Sequence, residues 1–135
     1  MNLYQELEWR SLVHASTEGL PERLVSDKLT AYAGFDPTAP SLHVGSLMPM
    51  MVLARLQRAG HTPIALIGGG TSLIGDPSGK STERTLLTPE QVQINSVEIH
   101  NQLSRFLDFG SGNQSAKLLN NADWLGTLDG MEFLR

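Results

Sequence analysis

Apolar residues recur at helical spacing from Asn2 to about Val13, where Leu3, Leu7, Leu12 and Val13 fall roughly on one face. Thr17-Glu-Gly-Leu-Pro21 breaks that pattern, and Pro21–Lys28 has room for another helical turn or two. Leu29-Thr-Ala-Tyr-Ala-Gly34 reads as a short strand, closed by the rigid turn Phe35-Asp-Pro-Thr-Ala-Pro40. Ser41–Val44 leads into a long periodic helix. Leu47, Met51, Leu53, Ala54 and Leu56 should form its buried side, and Ala59-Gly60 should end it. Thr62-Pro-Ile-Ala-Leu-Ile67 is a continuous apolar run, the pattern of a strand covered on both faces.

A glycine-rich stretch, Gly68 to Thr82, follows as a long loop. Thr88-Pro-Glu-Gln91 is a capping box with Pro at the first helical position. The helix it opens carries Val92, Val97, Ile99, Leu103, Phe106 and Leu107 and should end near Gly110. Ser111–Ser115 is a surface turn, Ala116–Leu119 a third strand, and a further helix should begin at Leu128. Strand, helix and strand in this order make a βαβ unit, with a right-handed crossover and a parallel sheet. The fold class is therefore α/β, a parallel-sheet, Rossmann-like nucleotide-binding half. We divide the chain into an N-terminal helical segment, 1–28, and an α/β part, 29–135. A short terminal helix cannot repay its nucleation alone, and a three-stranded parallel sheet covers its faces poorly. The expectation is a domain incomplete at its C-terminus.

Composition narrows the function classes. The 135 residues hold 14 acidic and 10 basic side chains, a net charge of −4, which argues against a broadly basic nucleic-acid coat. With no cysteine, disulfides, Cys-ligated zinc and a thiol nucleophile are excluded within this sequence. The acidic, polar start is not a secretory signal, and no apolar run nears the ~20 residues that span a bilayer. A cytoplasmic protein without a membrane partner is the simplest expectation.

Gly79-Lys80-Ser81 looks like the tail of a Walker A phosphate loop, but Ile74 stands where the upstream glycine is needed, and Thr82–Leu87 separate the loop from the next helix. The Rossmann glycine fingerprint also fails after both strands. A flexible surface loop would explain the glycines alone; Asp76, Lys80 and Arg84 beside them point to an anionic ligand. Of four histidines, His14, His61 and His100 read as solvated or locally bonded. His43 differs, standing at the start of the first long helix, where the helix dipole favours phosphate. Gly45, a residue costing ~1 kcal/mol in a helix relative to Ala, suggests that something lies close against the backbone there, such as a base or ribose.

The segment Gly34-Phe-Asp-Pro-Thr-Ala-Pro-Ser-Leu-His-Val-Gly-Ser46 is similar to the His-Ile-Gly-His signature of class I aminoacyl-tRNA synthetases. The wider series is more specific: Tyr32-Ala-Gly-Phe-Asp-Pro-Thr38, Gly60–Thr71, Leu73-Ile-Gly-Asp-Pro-Ser-Gly-Lys80, Glu83-Arg-Thr-Leu86, Phe106-Leu-Asp-Phe109 and Asn120-Asn-Ala-Asp-Trp124. In this order they resemble the bacterial-type tyrosyl-tRNA synthetases from about Leu29 to Arg135.

The resemblance implies ATP-dependent activation of tyrosine to tyrosyl-adenylate, then transfer to tRNA(Tyr). It implies that Thr38 and His43 hold the terminal phosphate while Lys80 and Arg84 close over the pyrophosphate. Asp36 would lie by its backbone beside the α-phosphate, with Ala33, Gly34, Gly45 and Ser46 forming the ribose and adenine floor. Tyr32 would meet the substrate phenol and Asp76 its ammonium group, with Thr71 and Asn121 lining the same pocket. ATP would come with Mg2+ and no protein-ligated metal, and the parent would be a homodimer. One departure stands out: Ser46 replaces the signature's second histidine, leaving a hydroxyl that can hydrogen-bond but carries no charge. The family's Lys-Met-Ser-Lys-Ser segment does not occur in the sequence. Two other readings remain: a related nucleotidyl transferase, such as a tryptophanyl enzyme or a small adenylyltransferase, and a non-catalytic nucleotide-binding module.

Overall fold

A computed structural model describes residues 1–74 and 87–130. Three strands, β1 (Thr30–Phe35), β2 (Thr62–Ile67) and β3 (Lys117–Asn120), form one sheet in the order β1-β2-β3. Both pairings are parallel. Tyr32 lies opposite Ile64, and Ile64 opposite Lys117; Gly34 lies opposite Leu66, and Leu66 opposite Leu119. The ladder runs one step past the strands, since the Gly68 amide donates to Phe35 O (2.9 Å) and the Asn121 amide to Ile67 O (3.0 Å).

The expected βαβ unit is present, with helix α3 (Val44–Arg58) between β1 and β2. Helix α5 (Pro89–Leu103) precedes β3. Right-handed crossovers that keep moving the same way along a sheet put their helices on one face. The core accordingly sits on a single face, where Phe35, Ala65 and Ile67 meet Met50, Leu53, Ala54 and Leu56 of α3 and Ile99 and Leu103 of α5. This corrects the expectation for β2: Pro63, Ala65 and Ile67 are buried, whereas Thr62, Ile64 and Leu66 on the other face are only partly covered.

Other corrections concern element ends and helix faces. In α3 the buried stripe is Met50, Leu53, Ala54 and Leu56. Met51 is only partly covered, and Leu47, one turn from the helix start, is exposed. Helix α1 (Leu3–Trp9) has the capping box Asn2/Gln5 and stops short of Val13 because Ser11 adopts a left-handed φ of 55°. Glu6 on α1 bonds Arg10 and also Arg55 of α3, and the two guanidiniums hold its carboxyl below its ordinary value. A second short helix, α2 (Leu20–Ser26), fills Pro21–Lys28 as expected. Helix α5 ends at Leu103, not near Gly110. The Leu103 carbonyl accepts from Phe106 and Leu107, and the Gln57 carboxamide then takes both the amide and the carbonyl of Asp108, turning the chain towards β3. Leu107 reaches the core from that turn, whereas Phe106 and Val97 are exposed. The helix expected from Leu128 is described only to Gly130; residues 131–135 lie outside the described part.

The glycine-rich stretch begins differently from the expected loop. Gly69–Ile74 form a short helix, α4, directly after β2. Its first amides are taken from across the sheet edge: Gly69 N–H donates to Asn120 Oδ1 (3.2 Å) and Gly70 N–H to Asn121 Oδ1 (2.7 Å). Such close docking requires missing side chains. A Cβ on Gly68 would strike the Asp36 carboxylate, one on Gly69 would strike the Asn120 carboxamide, and one on Gly70 would come within 3.2 Å of Ala122 Cα. Asn120 cannot swing away freely, because its Oδ1 also accepts the Ala122 amide that opens α6 (Ala122–Leu125). Gly69→Ala should therefore lower stability by about 1–3 kcal/mol through overpacking. Urea denaturation should show an earlier midpoint at unchanged slope. An unchanged midpoint would mean that Asn120 yields without cost.

Candidate active site at the carboxyl edge of the sheet

The three strands release their chains at one edge, and the candidate residues gather there. His43 is the N-cap of α3, extended at φ −90° and ψ 169°, and its Nδ1 accepts the Gly45 amide at 3.0 Å. With Nδ1 serving as acceptor, the neutral imidazole carries its proton on Nε2, a donor left for a ligand. The ring lies so close over the first turn that a Cβ on Gly45 would sit 2.8 Å from His43 Cε1. The histidine ring is thus itself one reason for a glycine at this position. The cap also uses the Gly45 amide, and the Ser46 amide bonds His43 O (2.9 Å).

A second group forms where α4 meets β3. Asn121 Nδ2 donates to Thr71 Oγ1 (3.1 Å), and the Thr71 hydroxyl donates to Gly68 O (3.1 Å). Thr71 and Asn121 are thus brought together, as a shared pocket requires. Tyr32 stands on the open face of β1 and is 72% exposed. Gly34 is on the same face, and among the described residues nothing comes within 4 Å of a Cβ built there. Ala33 points the other way and packs against the core, separating it from Tyr32 by the alternation of the strand. Asp36 lies against Gly68 at the strand end, and Thr38 is exposed on the turn before α3. Asp76, Lys80 and Arg84 lie outside the described residues.

Sequence reasoning missed the residues that hold the Asp36–His43 turn. Asn95 of α5, only 1% exposed, donates through Nδ2 to Pro37 O (2.9 Å), and its Oδ1 accepts from Gln91 Nε2 (3.0 Å). The Gln91 side chain therefore turns inward instead of completing the expected capping box, of which the Thr88 half is formed (3.2 Å to the Gln91 amide). Gln102 accepts the Leu42 amide at 3.0 Å and donates to Pro40 O at 3.1 Å. A signal existed: Asn95 sits within the apolar stripe of its helix, where a carboxamide needs a partner. Of the other histidines, His61 is buried with Nδ1 accepting from the Leu29 amide, and His100 stacks edge-on to Phe109 at 5.0 Å.

Among the described residues, no three His, Asp or Glu side chains gather as a metal site, and no helix is long and apolar enough to cross a membrane. The profile of the tRNA synthetases class I (W and Y) matches residues 25–135. The chain is 57% identical over 133 residues to the tyrosine–tRNA ligase of Roseiflexus castenholzii, covering 98% of this chain and 31% of that protein. It is 53% identical over 137 residues to the ligase of Geobacillus stearothermophilus, covering 100% and 33%. The chain spans about a third of the length of the curated relatives it matches. Among solved structures, the C-terminally truncated mitochondrial tyrosyl-tRNA synthetase of Aspergillus nidulans superposes with a TM-score of 0.80 at 30% identity, covering 99% of this chain and 41% of that one. The corresponding truncated enzyme of Coccidioides posadasii gives 0.78 at 30% identity, covering 99% and 39%. A parallel sheet with a histidine capping the helix after its first strand, matched by this profile over most of its length, makes the chain a member of the class I tRNA synthetases of the W and Y family.

Proposed function

We propose that the chain supplies the front part of a tyrosine–tRNA ligase, with residues 29–135 contributing to its ATP- and tyrosine-binding domain and 1–28 its N-terminal helical segment. In this reading the carboxylate of tyrosine attacks the α-phosphorus of ATP, the bond to the β-phosphate oxygen breaks, and pyrophosphate leaves. The tyrosyl group of the adenylate then passes to the 3′ end of tRNA(Tyr). The attacking carboxylate is ionised at neutral pH, so no protein nucleophile or base is required. Catalysis comes from orientation and from donors aimed at charge growing on the leaving group.

The observation that carries this reading is the His43 cap: Nδ1 is engaged at Gly45, which leaves Nε2 as the imidazole's donor at the start of a 15-residue helix. His43 and Thr38 act on the terminal phosphate. Lys80 and Arg84 meet the pyrophosphate, and Asp36 lies by the α-phosphate. Gly34, Gly45, Ser46 and Ala33 border the nucleoside. Gly34 is supported by the lack of any described residue within 4 Å of a Cβ built on it, whereas Ala33 packs against the core. Tyr32 meets the phenol of tyrosine, Thr71 and Asn121 line its pocket, and Asp76 takes its ammonium group. Mg2+ arrives as the counter-ion of ATP, and no step is assigned to it. The protein so read works in the cytoplasm as a homodimer, with tRNA(Tyr) as its macromolecular partner.

The direct test is ATP–pyrophosphate exchange by the full-length protein. Tyrosine should drive exchange and tryptophan should not; exchange driven by tryptophan, or ATP binding without amino-acid-dependent exchange, would replace this reading with one of its alternatives.

His43 variants separate its two bonds. His43→Asn keeps a cap for the Gly45 amide but loses the outward donor, so stability should hold while adenylate formation slows by about 10²–10³-fold. His43→Ala should lose the cap as well, at about 0.5–2 kcal/mol. Pre-steady-state rates and thermal melts measure both; a fully active His43→Asn would confine the histidine to capping.

Tyr32→Phe removes one hydrogen bond to the substrate phenol and should cut the preference for tyrosine over phenylalanine about threefold to tenfold. The comparison is kcat/KM for the two amino acids, and an unchanged ratio would move the phenol contact elsewhere.

A further inference from the structure

We propose that Asn95 and Gln102 are positioning residues, a pair of carboxamide clamps on α5 that fix the Asp36–His43 turn in the geometry needed for phosphate. The proposal rests on the reading of Thr38 and His43 as phosphate contacts. The turn has little means of holding itself. Pro37 and Pro40 lack amide protons, so they can close no turn as donors, and among the described residues no backbone amide bonds Pro37 O or Pro40 O. Both carbonyls are instead claimed from α5, by Asn95 Nδ2 at 2.9 Å and Gln102 Nε2 at 3.1 Å. The Leu42 amide, next to His43, is claimed by Gln102 Oε1 at 3.0 Å.

Each proposed contact has one of these bonds at the residue before it. Pro37 precedes Thr38 by one residue, and Leu42 precedes His43 by one. The clamps are themselves held. Asn95 is buried, with its Oδ1 occupied by Gln91, which fixes the orientation of its amide. A buried carboxamide satisfied on both sides, spanning from helix to turn, is costly to place and specifies one arrangement. Helix α5 therefore does more than cover the core: its polar residues set where Thr38 and His43 stand relative to the strand ends. The tyrosine-side group, Thr71 of α4 with Asn121 just after β3, shares none of these bonds. Loosening the clamps should thus separate the two halves of the reaction.

The experiment uses the full-length protein carrying Asn95→Leu, which removes the donor at similar volume, and Gln102→Leu at the more accessible site. Activity is normalised to folded sites by active-site titration. The kcat of tyrosine-dependent exchange should fall about tenfold to a hundredfold, while KM for tyrosine stays within about twofold. Gln102→Glu, which keeps the acceptor for Leu42 but not the donor for Pro40, should recover part of the loss. Amide hydrogen exchange across 36–44 should quicken in both Leu variants, with exchange across β2 unchanged. Normal kcat per folded site, or equal damage to kcat and tyrosine KM, would overturn the proposal, as would unaltered exchange across 36–44. Should Asn95→Leu fail to fold, the Gln102 variants decide by the same criteria. A wild-type protein without tyrosine-dependent exchange would instead defeat the functional reading, and the hydrogen-exchange arm would still decide whether the clamps hold the turn.

Discussion

Strand β2 is hydrogen-bonded on both sides, and both neighbours run parallel to it. Parallel strands start at one edge of a sheet and finish at the other, so whatever follows them is delivered to the same place. The turn after β1, helix α4 after β2 and the Asn120–Asn121 corner after β3 are far apart in sequence. The register brings them together, and two bonds beyond the strands, Gly68 to Phe35 and Asn121 to Ile67, extend that order into the site. A shift of β2 by one residue would turn Ala65 and Ile67 out of the core and draw Gly68 away from Asp36.

That edge is built in two different ways. On the β1 side, irregular backbone rich in proline is held from a distance by amides of α5. On the β2–β3 side, backbone amides of a short helix are taken by the side chains of two successive asparagines. In each case polar side chains complete what the backbone cannot do for itself, and in each they belong to a different element from the one they hold.

The sequence made the large elements legible because their signals are local. The apolar run of β2, the Gly60 stop after α3 and the Thr88-Pro89 start of α5 each arise from neighbouring residues. What could not be read depended on partners far along the chain. Three consecutive glycines look like a loop; only Asp36, Asn120 and Ala122, tens of residues away, show why side chains are forbidden there. The end of α5 was overestimated because Gln57, about fifty residues earlier, captures Asp108. The one-sided burial of β2 reflects strand order, which hydropathy does not encode. The candidate residues were found by motif; their relation to one another, including the opposite faces of Tyr32 and Ala33, needed the sheet.

The His43 cap has a consequence in conformational entropy. A histidine on a free turn samples several rotamers and must give them up when it engages a ligand, a loss of order 1 kcal/mol. Here the bond from the Gly45 amide, and the bare Cα beneath the ring, fix both side-chain torsions as the helix forms. The ordering cost is met once, in folding, and does not recur at each encounter. In the proposed function, the terminal phosphate of ATP would meet a donor already aimed.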